Sequence, residues 1–305
     1  MSKLYHTPVL LQETLDHLNL RAGMHVVDCT LGLGGHSLEI LKKIGPKGRL
    51  TAFEQDEGNL KVAKSELKTF KDQVTYVHDN FEYFSDYVKK PVDAILFDLG
   101  FSSPHVDDPE RGFSFQKDGP LDMRYDKRQK LTAEKVVNTY NEKDLADIIY
   151  QYGEERRSRV IAKKIIHVRK KKPITSTLQL VRVIASTMAR KQKIHPATRT
   201  FQALRIYVNR ELEVLEKALD KAINLLKPKG RIVVISYHSL EDRIVKNKFR
   251  YYAKDCICPK ELPVCQCNFQ KKLYILTKRP IIPLGIEVSK NPRARSAKMR
   301  VAERI

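Results

Sequence analysis

The chain has 305 residues, and its hydrophobic fraction of 42% is enough to fill a core, which excludes disordered and fibrous classes. Its 57 lysines and arginines outnumber its 36 acidic residues, and the resulting net charge of +21 indicates a polyanionic partner, with nucleic acid as the first candidate. The sequence lacks the roughly 18 to 20 consecutive apolar residues of a membrane helix and the pattern of a signal peptide. We therefore expect a cytoplasmic protein that does not bind membranes.

The first hundred residues alternate β-rich runs with helical patterns. Four strands are predicted at residues 25–30, 49–55, 74–79 and 92–100. One helix is predicted between the first two strands and another at 57–68, before the third. This alternation predicts a parallel, doubly wound sheet with helices on its faces.

A long interruption follows Pro104, because the next comparable apolar strand is at 231–238. We predict that a helical insertion fills the gap and that one helix, at about 201–226, returns the chain to the sheet. Two further strands, at 271–279 and 296–304, are predicted to pair near the C-terminus. The predicted domains are 1–108 with 199–305 for the sheet and 109–198 for the insertion.

A glycine-rich turn, Gly32-Leu33-Gly34-Gly35-His36, follows the first predicted strand. Glycines let the backbone approach a ligand closely, and the free N–H groups of a helix start favour polar or anionic groups. Glu54 ends the second strand, where a carboxylate can accept hydrogen bonds from both hydroxyls of a ribose. Together these features predict a nucleoside cofactor. The alternative is a merely structural turn and a solvated Glu54.

The fourth strand ends in the motif Asp98-Leu99-Gly100-Phe101-Ser102-Ser103-Pro104-His105. It partly resembles the (Asp/Asn/Ser)-Pro-Pro-aromatic loop of amino-methyltransferases, although one proline is absent and His105 replaces the aromatic residue. The Asp98 carboxylate and the Ser103 hydroxyl are predicted to accept hydrogen bonds from an exocyclic amine and to stabilise charge developing on its nitrogen. Asp98 as a structural cap or as a cofactor contact alone stays an alternative.

The stretch from Arg156 to Arg210 carries 16 lysines and arginines in 55 residues and no acidic residue. Like charges at this density repel one another unless phosphates neutralise them, which predicts an RNA or DNA surface. The alternative is a solvated basic face. Phe113 and Phe115, which precede this stretch, are predicted either to stack on a flipped base or to anchor the core of the insertion.

Two close cysteine pairs, Cys256 with Cys258 and Cys265 with Cys267, lie near the C-terminus. Four thiolates can complete a tetrahedral zinc shell, but the pairs are CxC rather than the usual CxxC. Reduced free thiols are the main alternative, so no metal is assigned from the sequence. Cys29, in the first strand, is predicted to be buried.

The motifs taken together resemble the ribosomal RNA small subunit methyltransferase H (RsmH, or MraW) family over nearly the whole chain. The blocks that carry the resemblance are HTPVL (6–10), GGHS (34–37), DLGFSSP (98–104), RGFSF (111–115), GPLDMR (119–124), YGEER (152–156), HPATRTFQA (195–203), HSLEDR (238–243) and NPRARS (291–296).

The resemblance implies a Rossmann-like class I S-adenosylmethionine methyltransferase sheet with an inserted helical domain that docks rRNA. The implied reaction is N4-methylation of a cytidine in the decoding region of bacterial 16S rRNA, within the small ribosomal subunit. Implied cofactor contacts are Gly34, Gly35, His36, Glu54, Phe81, Asp98 and His105. Predicted RNA contacts are Lys170, Lys171, Lys172, Arg199 and Arg205.

Two positions depart from the family pattern. Glu54 stands where an aspartate is common, and His105 replaces a frequent glutamine; neither change is expected to abolish cofactor binding. Two other functions stay open from the sequence: a noncatalytic rRNA-binding assembly factor that retains the cofactor pocket, and a DNA amine methyltransferase.

Overall fold

The computed structural model describes residues 8–188, 195–259, 262 and 264–305. The motif residues His6 and Thr7 and the basic run at 190–193 lie outside the described residues. The chain divides into two compact units, one formed by Met1–Gly100 with Leu212–Ile305 and the other by Phe101–Glu211.

The first unit contains the strands. They are β1 (His25–Asp28), β2 (Arg49–Phe53), β3 (Val74–Val77), β4 (Val92–Asp98), β5 (Leu226–Ser236), β6 (Leu273–Ile275) and β7 (Lys298–Arg304). Their order in the sheet is β3-β2-β1-β4-β5-β7-β6, with the first five parallel and β7 antiparallel to both of its neighbours. The predicted parallel sheet and the predicted pairing of the last two strands are confirmed.

The described helices belong to both units. They are α1 (Leu11–Leu18), α2 (Gly35–Ile44), α3 (Glu57–Glu66), α4 (Phe84–Tyr87), α5 (Ser103–Asp107), α6 (Ala133–Thr139), α7 (Glu142–Gly153), α8 (Ser158–Arg169), α9 (Thr177–Ala185), α10 (Thr198–Asn209), α11 (Glu211–Leu225), α12 (Ser239–Tyr252) and α13 (Gly285–Lys290). In the described part of the chain, none of them has the length and apolar character needed to cross a bilayer.

Each face of the sheet packs against its own layer of helices. Neighbouring residues of one strand point to opposite faces, so Val27 joins a cluster with α4, α11 and α12, whereas Val26 joins one with α1, α2 and α3. Strand β4 is buried on both sides, as its nearly continuous apolar run predicts. This arrangement is the doubly wound fold that the sequence predicted.

Helices α5–α10 form the second unit around a separate core. Helix α10 packs on α7, and Gly153 at the end of α7 permits a close approach, because a Cβ there would lie 2.5 Å from the carbonyl oxygen of Arg199. Phe113 is part of this core, which confirms the structural alternative for that residue. Phe115 is half-buried and stacks on His195, with ring centroids 4.7 Å apart.

The prediction of one continuous helix over 201–226 was wrong. Arg210 adopts a left-handed conformation, with φ 52°, and this residue separates α10 from α11. Helix α10 packs within the second unit, so the observed division falls after Gly100 and after Glu211, whereas the sequence placed it after residues 108 and 198.

Candidate active site of the sheet unit

The carboxyl ends of the parallel strands bring several acidic side chains to one edge of the sheet. Asp28 ends β1, Glu54 follows β2, and Asp98 ends β4. Strands β1 and β4 are neighbours in the order 3-2-1-4-5, at the point where the chain changes direction across the sheet. Ligands of open α/β sheets bind in the crevice at such a point.

The glycine turn is held in place by Asp28, a buried residue. The Asp28 carboxylate accepts hydrogen bonds from the Thr30 N–H at 3.0 Å and from the Ser37 hydroxyl at 2.6 Å. Burial raises the pKa of Asp28. Asp28 was not among the predicted site residues, although an acid that ends an apolar strand directly before a glycine turn is a signal that could have indicated it.

The structure explains why two of the predicted cofactor-binding positions are glycine. Gly34 has φ 89°, in the left-handed region, and it precedes the first turn of α2. A Cβ on Gly35 would lie 2.6 Å from Cγ of Pro8, which is too close for any side chain unless Pro8 moves. The turn is therefore restricted to glycine by both backbone conformation and space.

Glu54 is joined directly to the glycine turn. Its Oε2 accepts the Gly32 N–H at 2.9 Å, and its Oε1 accepts the Asp56 N–H at 2.7 Å. Burial raises the pKa of Glu54 to about 8. The structure thus places the predicted ribose-binding carboxylate against the predicted glycine-rich turn.

Asp98 contacts two further side chains at this edge. Its Oδ2 lies 3.4 Å from Nδ1 of His36, and its Oδ1 accepts the Tyr237 hydroxyl at 2.8 Å. The Asp98 N–H donates to Oγ1 of Thr30 at 2.6 Å, which connects the end of β4 to the glycine turn. Burial raises the pKa of Asp98 to about 7, while the Tyr237 hydrogen bond acts to lower it.

The hydrogen bonds of His36 determine which of its nitrogen atoms faces Asp98. Its Nε2 lies 3.1 Å from the carbonyl oxygen of Val9, and a carbonyl only accepts, so Nε2 carries a proton. A neutral imidazole then presents the lone pair of Nδ1 to Asp98. The contact is favourable only when the imidazole or the carboxyl group carries an additional proton.

Tyr237 is a functional candidate that sequence reasoning missed. Its backbone N–H donates to Oε2 of Glu241 at 2.8 Å, which fixes the start of α12, while its hydroxyl holds Asp98. A Cβ on Gly100 would lie 3.3 Å from the Tyr237 ring, and Gly100 has φ 98°. An aromatic residue directly after an apolar strand has no distinctive pattern, so only the folded chain reveals its contact with Asp98.

Phe81 begins a short 3-10 turn after β3. Its half-buried ring packs edge-to-face on Phe97, with centroids 5.5 Å apart. The preceding residue, Asn80, donates from Nδ2 to Oε1 of Gln55 at 3.1 Å. Because Gln55 adjoins Glu54, Phe81 lies near the predicted ribose site, at the same edge of the sheet.

Two predicted site residues, Ser103 and His105, belong to the second unit. Ser103 is the buried first residue of α5, and Nδ1 of His105 accepts the Ser102 N–H at 3.2 Å. The His105 ring packs against Phe113 and Tyr125, at 5.1 Å from each centroid. His105 is therefore an integral part of this unit's aromatic packing, and its contact with a cofactor stays a prediction.

The exposed part of the predicted RNA surface includes the end of α8. Lys170, Lys171 and Lys172 are all exposed there. The Arg199 side chain is 45% exposed and lies 3.7 Å from the carboxylate of Glu155. These four cations are accessible to phosphate groups.

Arg205 requires a correction. Its guanidinium donates from Nε and Nη2 to the Glu211 carboxylate, at 2.8 and 2.9 Å, and lies 5.0 Å from the centroid of the Phe101 ring. The residue is only 9% exposed. The sequence predicted a phosphate contact, whereas the structure pairs Arg205 with the carboxylate of Glu211, whose side chain is 11% exposed, so we no longer assign Arg205 to the RNA surface.

Comparison with protein families identifies the relationship. The model of the MraW methylase family matches residues 3–305. The chain belongs to this family. The resemblance inferred from the motifs is confirmed, and so is the class I methyltransferase fold.

Curated relatives of this MraW family member match it along its full length. A Ribosomal RNA small subunit methyltransferase H from Halothermothrix orenii is 49% identical over 309 residues and covers 99% of each chain. A protein of the same name from Carboxydothermus hydrogenoformans is 51% identical over 306 residues and covers 98% of each. Among solved structures, an rRNA methylase from Streptococcus thermophilus is 12% identical, with a TM-score of 0.45, covering 100% of this chain and 99% of that one.

Proposed function

We propose that this protein uses S-adenosylmethionine to methylate N4 of a cytidine in the decoding region of bacterial 16S rRNA, within the small ribosomal subunit. The observation that carries the proposal is the set of contacts joining Glu54 to the glycine turn and Asp98 to His36 at one sheet edge. Full-length similarity to proteins named Ribosomal RNA small subunit methyltransferase H supports the choice of substrate.

The residues at the edge fit a nucleoside. Glu54 accepts the Gly32 and Asp56 N–H groups and a hydrogen bond from the Asn59 side chain, so one of its about four lone-pair sites is left for a ribose hydroxyl. The second hydroxyl would take the place of the Asn59 side chain. Phe81 offers part of its ring as a surface for adenine, and Gly34 and Gly35 keep the adjacent turn free of side chains. When bound, the cofactor supplies a methyl group on a sulfonium.

Asp98 is the proposed acceptor for the amine of the cytosine. Its carboxylate, positioned by the Tyr237 hydroxyl, would accept an N–H of the amine and turn the nitrogen lone pair towards the methyl group. Methyl transfer would form the N–C bond as the S–C bond broke, with the S–C electron pair left on sulfur, and Asp98 or water would accept the amine proton. Ser103 is retained as a second acceptor on the basis of its sequence motif alone.

The second unit is proposed to bind the rRNA through its exposed cations. Lys170, Lys171, Lys172 and Arg199 are the residues we assign to phosphate contacts. Phosphate contacts of this kind position an RNA without reading its sequence.

The decisive test is methyl transfer to small subunits purified from a strain that lacks this modification. The subunits are incubated with the full chain and trideuteromethyl-labelled S-adenosylmethionine, and their nucleosides are analysed by mass spectrometry. We expect labelled N4-methylcytidine with the parent chain and, in the same time, at least about a hundredfold less with Asp98→Asn. Absence of label would indicate a noncatalytic assembly factor, and label on another nucleoside would refute the proposed specificity.

A further inference from the structure

The segment between α12 and β6, residues 253–272, is here named the cysteine loop. Its described residues form no helix or strand, and two of its apolar side chains, Ile257 and Val264, are 38% and 70% exposed. A segment with exposed apolar residues and no regular structure lacks the buried core that ordinarily holds a chain in one conformation. Phe269 packs on Tyr251 and against the core, but the described residues between Asp255 and Asn268 are exposed or half-buried, so something other than apolar packing must fix the part of the loop that carries the cysteines.

Four thiol groups converge within the loop. The Sγ atoms of Cys256, Cys258, Cys265 and Cys267 all lie within 4.8 Å of one another. Cys256 Sγ is 3.4 Å from Cys265 Sγ and 3.6 Å from Cys267 Sγ, and the latter two are also 3.6 Å apart. In a tetrahedron with zinc–sulfur bonds of about 2.3 Å, neighbouring sulfur atoms are about 3.8 Å apart, whereas a disulfide requires about 2.05 Å.

Backbone hydrogen bonds to sulfur show how two CxC pairs bring four thiols together. The Cys258 N–H donates to Cys256 Sγ at 3.3 Å, so the chain turns tightly at Ile257. In an extended strand, the two cysteines would share one face but lie about 6.5 to 7 Å apart along the chain. The Ile257 N–H donates to Cys267 Sγ at 3.4 Å, and the Gln266 N–H to Cys258 Sγ at 3.3 Å. Hydrogen bonds from backbone N–H groups stabilise thiolate charge and orient metal ligands.

We propose that Cys256, Cys258, Cys265 and Cys267 bind one Zn²⁺ ion as four thiolates. Four sulfur ligands in this arrangement leave no open coordination position, so the site is structural and holds the cysteine loop closed. Tetrahedral sulfur sets take zinc or iron, and zinc is the choice for a closed site without a redox task. This site is independent of the cofactor-binding edge proposed above.

The metal content of the full chain tests the proposal. The protein is expressed without a histidine tag in zinc-supplemented medium and purified with a non-thiol reductant, and its metals are measured by mass spectrometry. We expect about one zinc per chain, released when a mercurial reagent has modified the four thiols. The double variant Cys258→Ser/Cys267→Ser should lose the zinc, whereas Cys29→Ala, which alters the buried cysteine outside the loop, should keep it.

Three results would overturn the assignment. They are a metal-free chain whose thiols react freely, an intact mass showing disulfides after purification without reductant, and bound iron with visible absorption. If the double variant does not fold, the parent chain still tests the proposal through its response to chelation. Chelation of its zinc should make residues 253–272 sensitive to protease before the rest of the chain, and unchanged cleavage would contradict a structural metal.

Discussion

The edge of the sheet unit and the basic surface of the helical unit use polar groups in opposite ways. At the sheet edge, Asp28 is buried, Glu54 and Asp98 are half-buried, and each holds specific hydrogen-bond partners at 2.6 to 3.0 Å. On the helical unit, Lys170, Lys171 and Lys172 extend into solvent. We therefore expect methyl transfer to depend strongly on single residues at the sheet edge, and RNA binding to depend on many basic residues with small individual effects.

The physical reason is the dielectric environment. Charges and dipoles interact strongly where water is excluded, so removing one group at the sheet edge should have a large effect. Salt screens the interactions of exposed cations with charges more than about 10 Å away. Each exposed cation therefore contributes a small, additive part of the free energy of RNA binding. Single substitutions at the sheet edge should therefore have larger effects than substitutions on the basic surface.

The largest expected effect is that of Asp98→Asn on methyl transfer. Asparagine retains the shape and can still accept the Tyr237 hydroxyl, but it lacks the negative charge that stabilises the developing cation. By analogy with the loss of one electrostatic group in other active sites, we expect kcat to fall about 10² to 10³-fold. A turnover assay on small subunits measures this, and a rate within a few-fold of the parent would remove Asp98 from the chemistry.

Tyr237→Phe tests whether the Tyr237 hydroxyl acts by positioning Asp98. Because the Tyr237 hydrogen bond lowers the pKa of Asp98, its removal should raise that pKa above about 7. The carboxylate would then form only at higher pH, so the rising limb of the profile of kcat/KM against pH should move to higher pH. A rate that falls with no such displacement would indicate a role for Tyr237 other than positioning Asp98.

An intermediate effect is expected for Glu54→Gln on cofactor affinity. With its pKa at about 8, Glu54 is mostly protonated below that pH in the free chain, and binding as a carboxylate requires loss of the proton. Affinity for S-adenosylhomocysteine should therefore increase by up to about tenfold per pH unit towards pH 8 and level off above it. Isothermal titration from pH 6.5 to 9 measures this dependence.

The Glu54→Gln variant should bind at least about tenfold more weakly at pH 8.5 and should lose most of the pH dependence. Ionisation of the ligand is the same for both chains, so the difference between them isolates Glu54. Glu54→Asp, the residue common in the family pattern, should restore affinity. Equal pH profiles for parent and Gln variant would refute the ribose assignment.

The smallest effect per residue is expected on the basic surface. Reversing the charges of Lys170, Lys171 and Lys172 to glutamate should weaken subunit binding and lower the slope of log affinity against log salt by about two to three. Reversal of Lys43, Lys47 and Lys71, which are exposed on the sheet unit, is the matched control and should change the slope less. Equal slopes in both variants would exclude the three lysines from the interface.

Much of the sheet unit and of its candidate site could be predicted because local sequence patterns determine them. The alternation of apolar strands and helices predicted the sheet, and the glycine turn and Glu54 were both selected as cofactor-binding residues and lie in contact at its edge. The contact of Tyr237 with Asp98 and that of Arg205 with Glu211 could not be predicted, since the partner of each side chain is known only once the chain is folded. The break at Arg210 escaped prediction because the apolar periodicity continues on both sides of it.

The central claim is that the carboxyl edge of the sheet holds the cofactor through Glu54 and its neighbours. A crystal structure of the chain with S-adenosylhomocysteine tests it most directly. We expect both ribose hydroxyls within hydrogen-bond distance of the Glu54 carboxylate, with the adenine against Phe81. A ligand bound elsewhere, or one whose ribose leaves Glu54 untouched, would contradict it.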